Sequence, residues 1–150
     1  MDIAIVTGAN TRTGLAISRK LIEIGCRVYG LGSDFSSLPL EDSNFVPVTC
    51  DLTSTEHLCQ IFQEILNKEK DIYVLVNHAK HLHVAAHEKQ GLNDLESLVQ
   101  VNLLTPLILT RMVLPSLIRL NGYVINIGFP DSLKNHKLGR TPPNLCGSRD

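Results

Sequence analysis

Short apolar runs of strand length alternate with amphipathic helical stretches along most of this 150-residue chain, and that alternation leaves few folds open. Strand material runs from Ile3 to Val6 and stops at Thr7-Gly8; a helical pattern follows with Leu15, Ile17, Leu21 and Ile22 on one face and Gly25 at its C′ position. Residues 27–31 and 45–49 read as the second and third strands. Thr53 opens a helix with Glu56 at capping-box spacing, and Leu58, Ile61, Phe62, Ile65 and Leu66 then repeat with the helical period. Residues 72–76 form a continuous apolar run expected to be a buried central strand, residues 93–119 a long helical region, and residues 122–127 a fifth strand. Parallel strands need crossover connections, which are nearly always right-handed. The expected fold is therefore α/β: a Rossmann-like, doubly wound parallel sheet in three α/β/α layers, its five strands ordered 3-2-1-4-5.

Composition narrows the functional classes. Fourteen basic residues against fifteen acidic ones provide no field to hold a polyanion, so nucleic acid is not expected as a partner. Scattered prolines and charges are read as leaving no membrane span, and strand material starting at Ile3 leaves no room for a signal peptide. Cys26, Cys50, Cys59 and Cys146 form no CxxC pair and read as reduced thiols, which places the chain in the cytoplasm. Past Phe129, prolines and glycines among polar residues leave little to bury. The division expected is a nucleotide-binding domain over residues 1–129 and an irregular tail over 130–150.

The turn between the first strand and first helix reads Thr7-Gly8-Ala9-Asn10-Thr11-Arg12-Thr13-Gly14. A glycine-bearing turn there sets backbone N–H groups and the positive end of a helix beside an anion, which suits the pyrophosphate of a dinucleotide. It lacks the GK[ST] of a P-loop. Further along, Pro106 has no N–H to give the carbonyl of Asn102 four residues earlier, which frees that carbonyl to hold a water or kink the helix.

Together these motifs resemble the short-chain dehydrogenase/reductase family over nearly the whole chain. Thr7-Gly8 and Gly14 match the outer positions of its TGxxxGxG turn, Asp51-Leu52 its adenine-contacting pair, and residues 74–79 its LVNNAG segment, with Asn77, His78 and Ala79 at the cofactor. Val101-Asn102-Leu103 is similar to the helix that carries the family's proton-relay asparagine, and residues 123–128 resemble its IVNISS strand. The resemblance implies an NAD(P)-dependent oxidoreductase that moves hydride between a nicotinamide and a small carbonyl or alcohol. It also implies homo-oligomers formed through the Asn102 helix.

The pattern breaks at informative positions. Arg12 replaces the middle glycine of the turn, where a side chain obstructs the approach to pyrophosphate; the guanidinium either pairs with a phosphate or stays solvated. Lys80 and His78 put bulk where the family keeps the chain close to the ribose and nicotinamide. The family's chemistry needs a serine, a tyrosine and a lysine; Phe129, Leu145 and Arg149 stand in those places, with Ser132 a few residues late. Leucine cannot carry a proton. Because the family's domain runs to about 250 residues, the chain reads as truncated, a catalytically impaired relative or pseudoenzyme. The alternative is a non-catalytic nucleotide-binding or interaction protein on a partial fold.

Cofactor choice follows from the end of the second strand. Gly32 occupies the acidic position that selects NAD, so nothing repels a 2′-phosphate, and Ser33 can donate to one: NADP is weakly preferred. Asp34, two places late, would revive NAD in a shifted register. His78, His81, His83 and His87 crowd one loop, but no cysteine or paired carboxylate completes a first shell, and no metal is expected.

Overall fold

β1 (Asp2–Thr7) is the hub of the molecule, paired in parallel with β2 (Cys26–Gly32) on one side and with β4 (Val74–Asn77) on the other. The computed structural model describes residues 1–37, 41–81 and 89–128. β3 (Phe45–Thr49) adds to β2 and β5 (Tyr123–Asn126) to β4, giving a five-stranded parallel sheet in the expected order β3-β2-β1-β4-β5. The register aligns Ile5 with Tyr29 and with Leu75, so rows of apolar side chains cross the sheet.

Alternation along each strand divides the core in two. Ile3, Ile5, Tyr29, Leu31 and Leu75 face one layer with α2 (Thr55–Glu69) and α4 (Thr105–Leu120), which contribute Leu58, Phe62 and Ile65, and Leu109, Val113 and Leu117. Ala4, Val6, Val28, Val74 and Val76 face the other with Leu21 of α1 (Arg12–Glu23). Phe62 is 0% exposed, and truncating such a side chain to alanine costs about 3–5 kcal/mol.

Several boundaries shift for local reasons. α2 is capped by Ser54 rather than Thr53, because Asp51 Oδ1 holds both the N–H and the hydroxyl of Thr53, while the Ser54 hydroxyl accepts from His57 N–H. α1 ends at Glu23, and just past its Ile24 cap Gly25 takes φ +99°, a conformation that favours glycine. β4 begins at Val74, two residues later than the apolar run, although Ile72 is fully buried beside it.

The long helical region divides into α3 (Leu92–Val99), a π-helical turn at Gln100–Leu104 and α4. The Thr105 N–H reaches back to the Gln100 carbonyl, so the turn widens just where Pro106 withholds a donor from Asn102. Contrary to the composition reading, Leu92–Leu120 is long and apolar enough to cross a membrane by length and composition, with a mean hydropathy of 1.6 over its most apolar window. One face of it packs on the sheet through Leu109, Val113 and Leu117, while Leu103, Leu107, Leu114 and Ile118 are exposed.

Candidate functional site

The carboxyl ends of the strands open into two clefts, one across the ends of β1 to β4, where the strand order reverses and α/β sheets place their ligands, and one toward β5. The first, of about 630 Å³, is lined by Gly8, Asn10, Thr11, Arg12, Thr13, Gly32, Ser33, Asp51, Leu52, His78 and Ala79, with Cys50, Thr53, Lys80, His81 and Val101 completing its walls. This gathers nearly all the residues singled out for a nucleotide. Thr7 and Gly14 lie behind its wall as scaffold, and Asn77 and Asn102 line the second cleft instead.

The turn is held by hydrogen bonds that account for its glycines. Thr11 caps α1: its hydroxyl accepts from Gly14 N–H at 3.0 Å and donates to the Gly8 carbonyl at 2.9 Å. A Cβ on Gly14 would stand 2.1 Å from that carbonyl oxygen, and Gly8 takes a positive φ of 68° with Ala79 against it. With Gly14 N–H given to the Thr11 hydroxyl and Leu15 N–H to the Thr11 carbonyl, the first-turn N–H groups of Arg12 and Thr13 are left for an outside acceptor.

The opposite wall is built from β4. Thr7 Oγ1 accepts from both His78 N–H and Ala79 N–H at 3.0 Å, tying the end of β4 to β1. His78 Nε2 lies 3.1 Å from Thr11 Oγ1. The single hydroxyl proton of Thr11 is already given to Gly8, so Oγ1 accepts here and Nε2 carries the hydrogen. Burial, reinforced by the Lys80 charge, holds this imidazole below its ordinary basicity.

At the β2 corner, Gly32 leaves its side-chain space to Asn10, whose Oδ1 would be 2.5 Å from a Cβ there and whose Nδ2 donates to Ser33 Oγ at 3.2 Å. Asp34 turns to Ser36. Its two oxygens accept from the Ser36 N–H and hydroxyl, which hold its carboxyl below the usual range, and it does not line the cleft. Asp51 lines the cleft with its carboxyl likewise lowered, chiefly by the Thr53 hydroxyl and N–H, while its own N–H donates to His57 Nδ1.

The second cleft, of about 740 Å³, lies between β4, β5 and α4 and is mostly apolar, with Asn77, Lys80, Asn102, Thr110, Arg111 and Asn126 as its polar groups. Asn102 spends its side chain on the loop after β4: Oδ1 accepts from His81 N–H and Nδ2 donates to the His81 carbonyl, both at 2.8 Å. Asn77 Nδ2 donates to Asn126 Oδ1 at 2.8 Å, and Asn77 Oδ1 is buried without a partner among the described residues.

Phe129, Ser132, Leu145 and Arg149 lie outside the described residues, as do His83, His87 and Cys146. Among the described residues no group of three His, Cys, Asp or Glu side chains is close enough to hold a metal ion. Sequence reasoning missed Thr11, although a threonine three residues before Gly14 at a helix start is an N-cap signal. It also missed His57 on Asp51 and Asn126 on Asn77, which no spacing rule connects.

An anionic nucleotide suits the first cleft: two glycine positions admit no side chain, two helix N–H groups are available, and Arg12 and Lys80 bring positive charge. Residues 2–137 match the family model described as short chain dehydrogenase. Among curated proteins, the chain is 32% identical to a probable NADP-dependent dehydrogenase of Haemophilus influenzae, across 83% of this chain and 52% of that protein. It is 30% identical to the NADP-dependent 3-hydroxy acid dehydrogenase YdfG of Salmonella typhi, across 84% of this chain and 53% of that protein. The chain thus spans about half the length of the curated relatives it matches. Among solved structures, a metagenomic short-chain oxidoreductase in complex with NADP superposes with a TM-score of 0.78 at 29% identity, over 85% of this chain and 61% of that one.

Proposed function

Given that this chain belongs to the short chain dehydrogenase family, we propose that it forms the cofactor-binding portion of an oxidoreductase and takes the adenosine diphosphate half of NADP(H) in its first cleft. The observation that carries this reading is the opening of α1 into the cleft, made possible because Gly14 packs against the Gly8 carbonyl where no Cβ fits. The diphosphate would take the Arg12 and Thr13 N–H groups. The 2′-phosphate would lie at Gly32 and Ser33, where no carboxylate opposes it, and the adenine would lie beside Asp51 and Leu52. The names of the relatives, two of them NADP-dependent, support that choice. Bound NADPH would supply hydride to a carbonyl; the chain's own task is to orient the cofactor and exclude water from it.

Proton delivery is the weak step of this chain. Asn102 stands at the relay position, but Phe129, Leu145 and Arg149 stand where the family has its serine, tyrosine and lysine. Loss of one positioned acid costs about a hundredfold or more in rate. Losses within one step need not add. The expected result with the 150-residue chain is weak NADPH binding, seen by cofactor fluorescence and stronger than NADH binding, without measurable oxidation in the presence of aldehydes, ketones or quinones. Phe129→Ser, Leu145→Tyr and Arg149→Lys together are expected to raise turnover. NADH bound more tightly than NADPH would refute the assignment at Gly32. Turnover by the unaltered chain that survives Asn102→Ala would refute the impaired-enzyme reading.

A further inference from the structure

The two clefts meet at a neck. Among the described residues they share Ala79 and Lys80 and nothing else in their linings. Lys80 leaves the end of β4 and crosses to the end of β5, where its ammonium donates to the Gly128 carbonyl. A nucleotide whose diphosphate rests on the α1 N-terminus, with its adenosine against Ser33 and Asp51, fits within the first cleft. A dinucleotide places its second nucleoside toward β5, in the second cleft, and reaches it past this side chain.

We propose that Lys80 bolts the neck and makes the first cleft selective for an adenosine diphosphate-type mononucleotide over a whole dinucleotide. This rests on the nucleotide-binding reading above and deepens it. A dinucleotide must break the ammonium-to-carbonyl bond to span both clefts, whereas a ligand ending at its diphosphate leaves that bond intact. It also keeps the positive charge of Lys80 beside it. Hydrogen bonds to charged groups contribute enough that breaking one lowers affinity about tenfold. With Lys80 common to both, Arg12 is offset by the Asp51 carboxylate in the first cleft while Arg111 adds a cation to the second, so net charge is no source of preference for the first cleft.

The test compares two ligand pairs that differ by the nicotinamide riboside: ADP with NAD, and 2′-phospho-ADP with NADP. Dissociation constants are measured by calorimetry on the 150-residue chain, on Lys80→Gly and on Lys80→Met. The unaltered chain is expected to bind the mononucleotide of each pair more tightly. Both variants are expected to shift the mononucleotide-to-dinucleotide preference about tenfold toward the dinucleotide. Retained mononucleotide binding reports that the variants are folded. An unchanged preference in both variants would overturn the proposal. So would weaker dinucleotide binding in both, which would make Lys80 a contact for the second nucleoside. If none of the four ligands binds the unaltered chain, the nucleotide reading itself falls and takes this inference with it. Binding with an unchanged preference sinks the inference alone.

Discussion

Replacing Gly14 with alanine tests the constraint on which the first cleft depends. The new Cβ would stand 2.1 Å from the Gly8 carbonyl oxygen and 2.8 Å from Ala9 Cα, both backbone atoms that cannot rotate aside. Relief requires the Gly8 carbonyl to move by about 1 Å, an overpacking effect of about 1–3 kcal/mol. That carbonyl accepts from the Thr11 N–H at 3.1 Å and the Thr11 hydroxyl at 2.9 Å. Weakening both adds about 1–2 kcal/mol, while the better helix propensity of alanine returns about 1 kcal/mol. The net expectation is about 3 kcal/mol of destabilisation, or about 6–12 °C in Tm for a chain of this size. Urea unfolding followed by circular dichroism at fixed pH measures it. Gly25→Ala is the internal control. Gly25 has φ +99° and nothing within 4 Å, so strain alone acts and about 1–2 kcal/mol is expected. A Gly14→Ala protein within about 1 kcal/mol of the unaltered chain, or more stable than Gly25→Ala, would show that the turn yields easily. The cradle argument would then fail.

Two further outcomes follow from the same geometry. Gly32→Asp puts a carboxylate at the β2 corner and drives Asn10 off Ser33; NADP affinity is expected to fall at least about tenfold and NAD to become the preferred ligand, read by fluorescence titration. Tyr29 is 2% exposed, and burial, then its hydrogen bond to Glu69, pushes its phenol up to about 12. A raised folded value means that its contribution is whole below the unfolded value near pH 10 and is lost as pH rises through about 12. Tyr29→Phe is therefore expected to lose less stability than the unaltered chain between pH 9 and 11. Equal losses in the two proteins would refute this.

The strands and helices were legible because their signals are local. The short apolar run from Ile3 to Val6 marks a strand, and the helical repeat of Leu58, Phe62 and Ile65 marks the buried face of a helix; β1 and α2 stand at those places. The cap of α2 falls one residue later than its capping-box spacing predicts, because Thr53 and Ser54 both offer a hydroxyl and Asp51 takes Thr53. The clefts were legible in part. Gly8, Asn10 and Gly14 announced a turn, yet the pairs that close the site join residues far apart in the chain: Asn102 on the His81 backbone, Asn77 on Asn126, and Lys80 on Gly128. No periodicity encodes them. Pro106 showed that the helix must adjust at Asn102, but only packing decides that it widens into a π turn there.

The hub position of β1 carries a consequence for the birth of the protein. One edge of this strand is claimed by Cys26–Gly32, which follows at once, whereas the other waits for Val74–Asn77. Once β2 is made, a ribosome adding about 5–20 residues per second leaves that second edge without its partner for on the order of 2–9 s more. Throughout this interval the Ala4, Ile5 and Val6 backbone presents an open ladder to any neighbouring nascent chain. The strand that ends as the most sheltered in the sheet thus begins as an open template for wrong pairing, and slower translation between β2 and β4 lengthens that exposure.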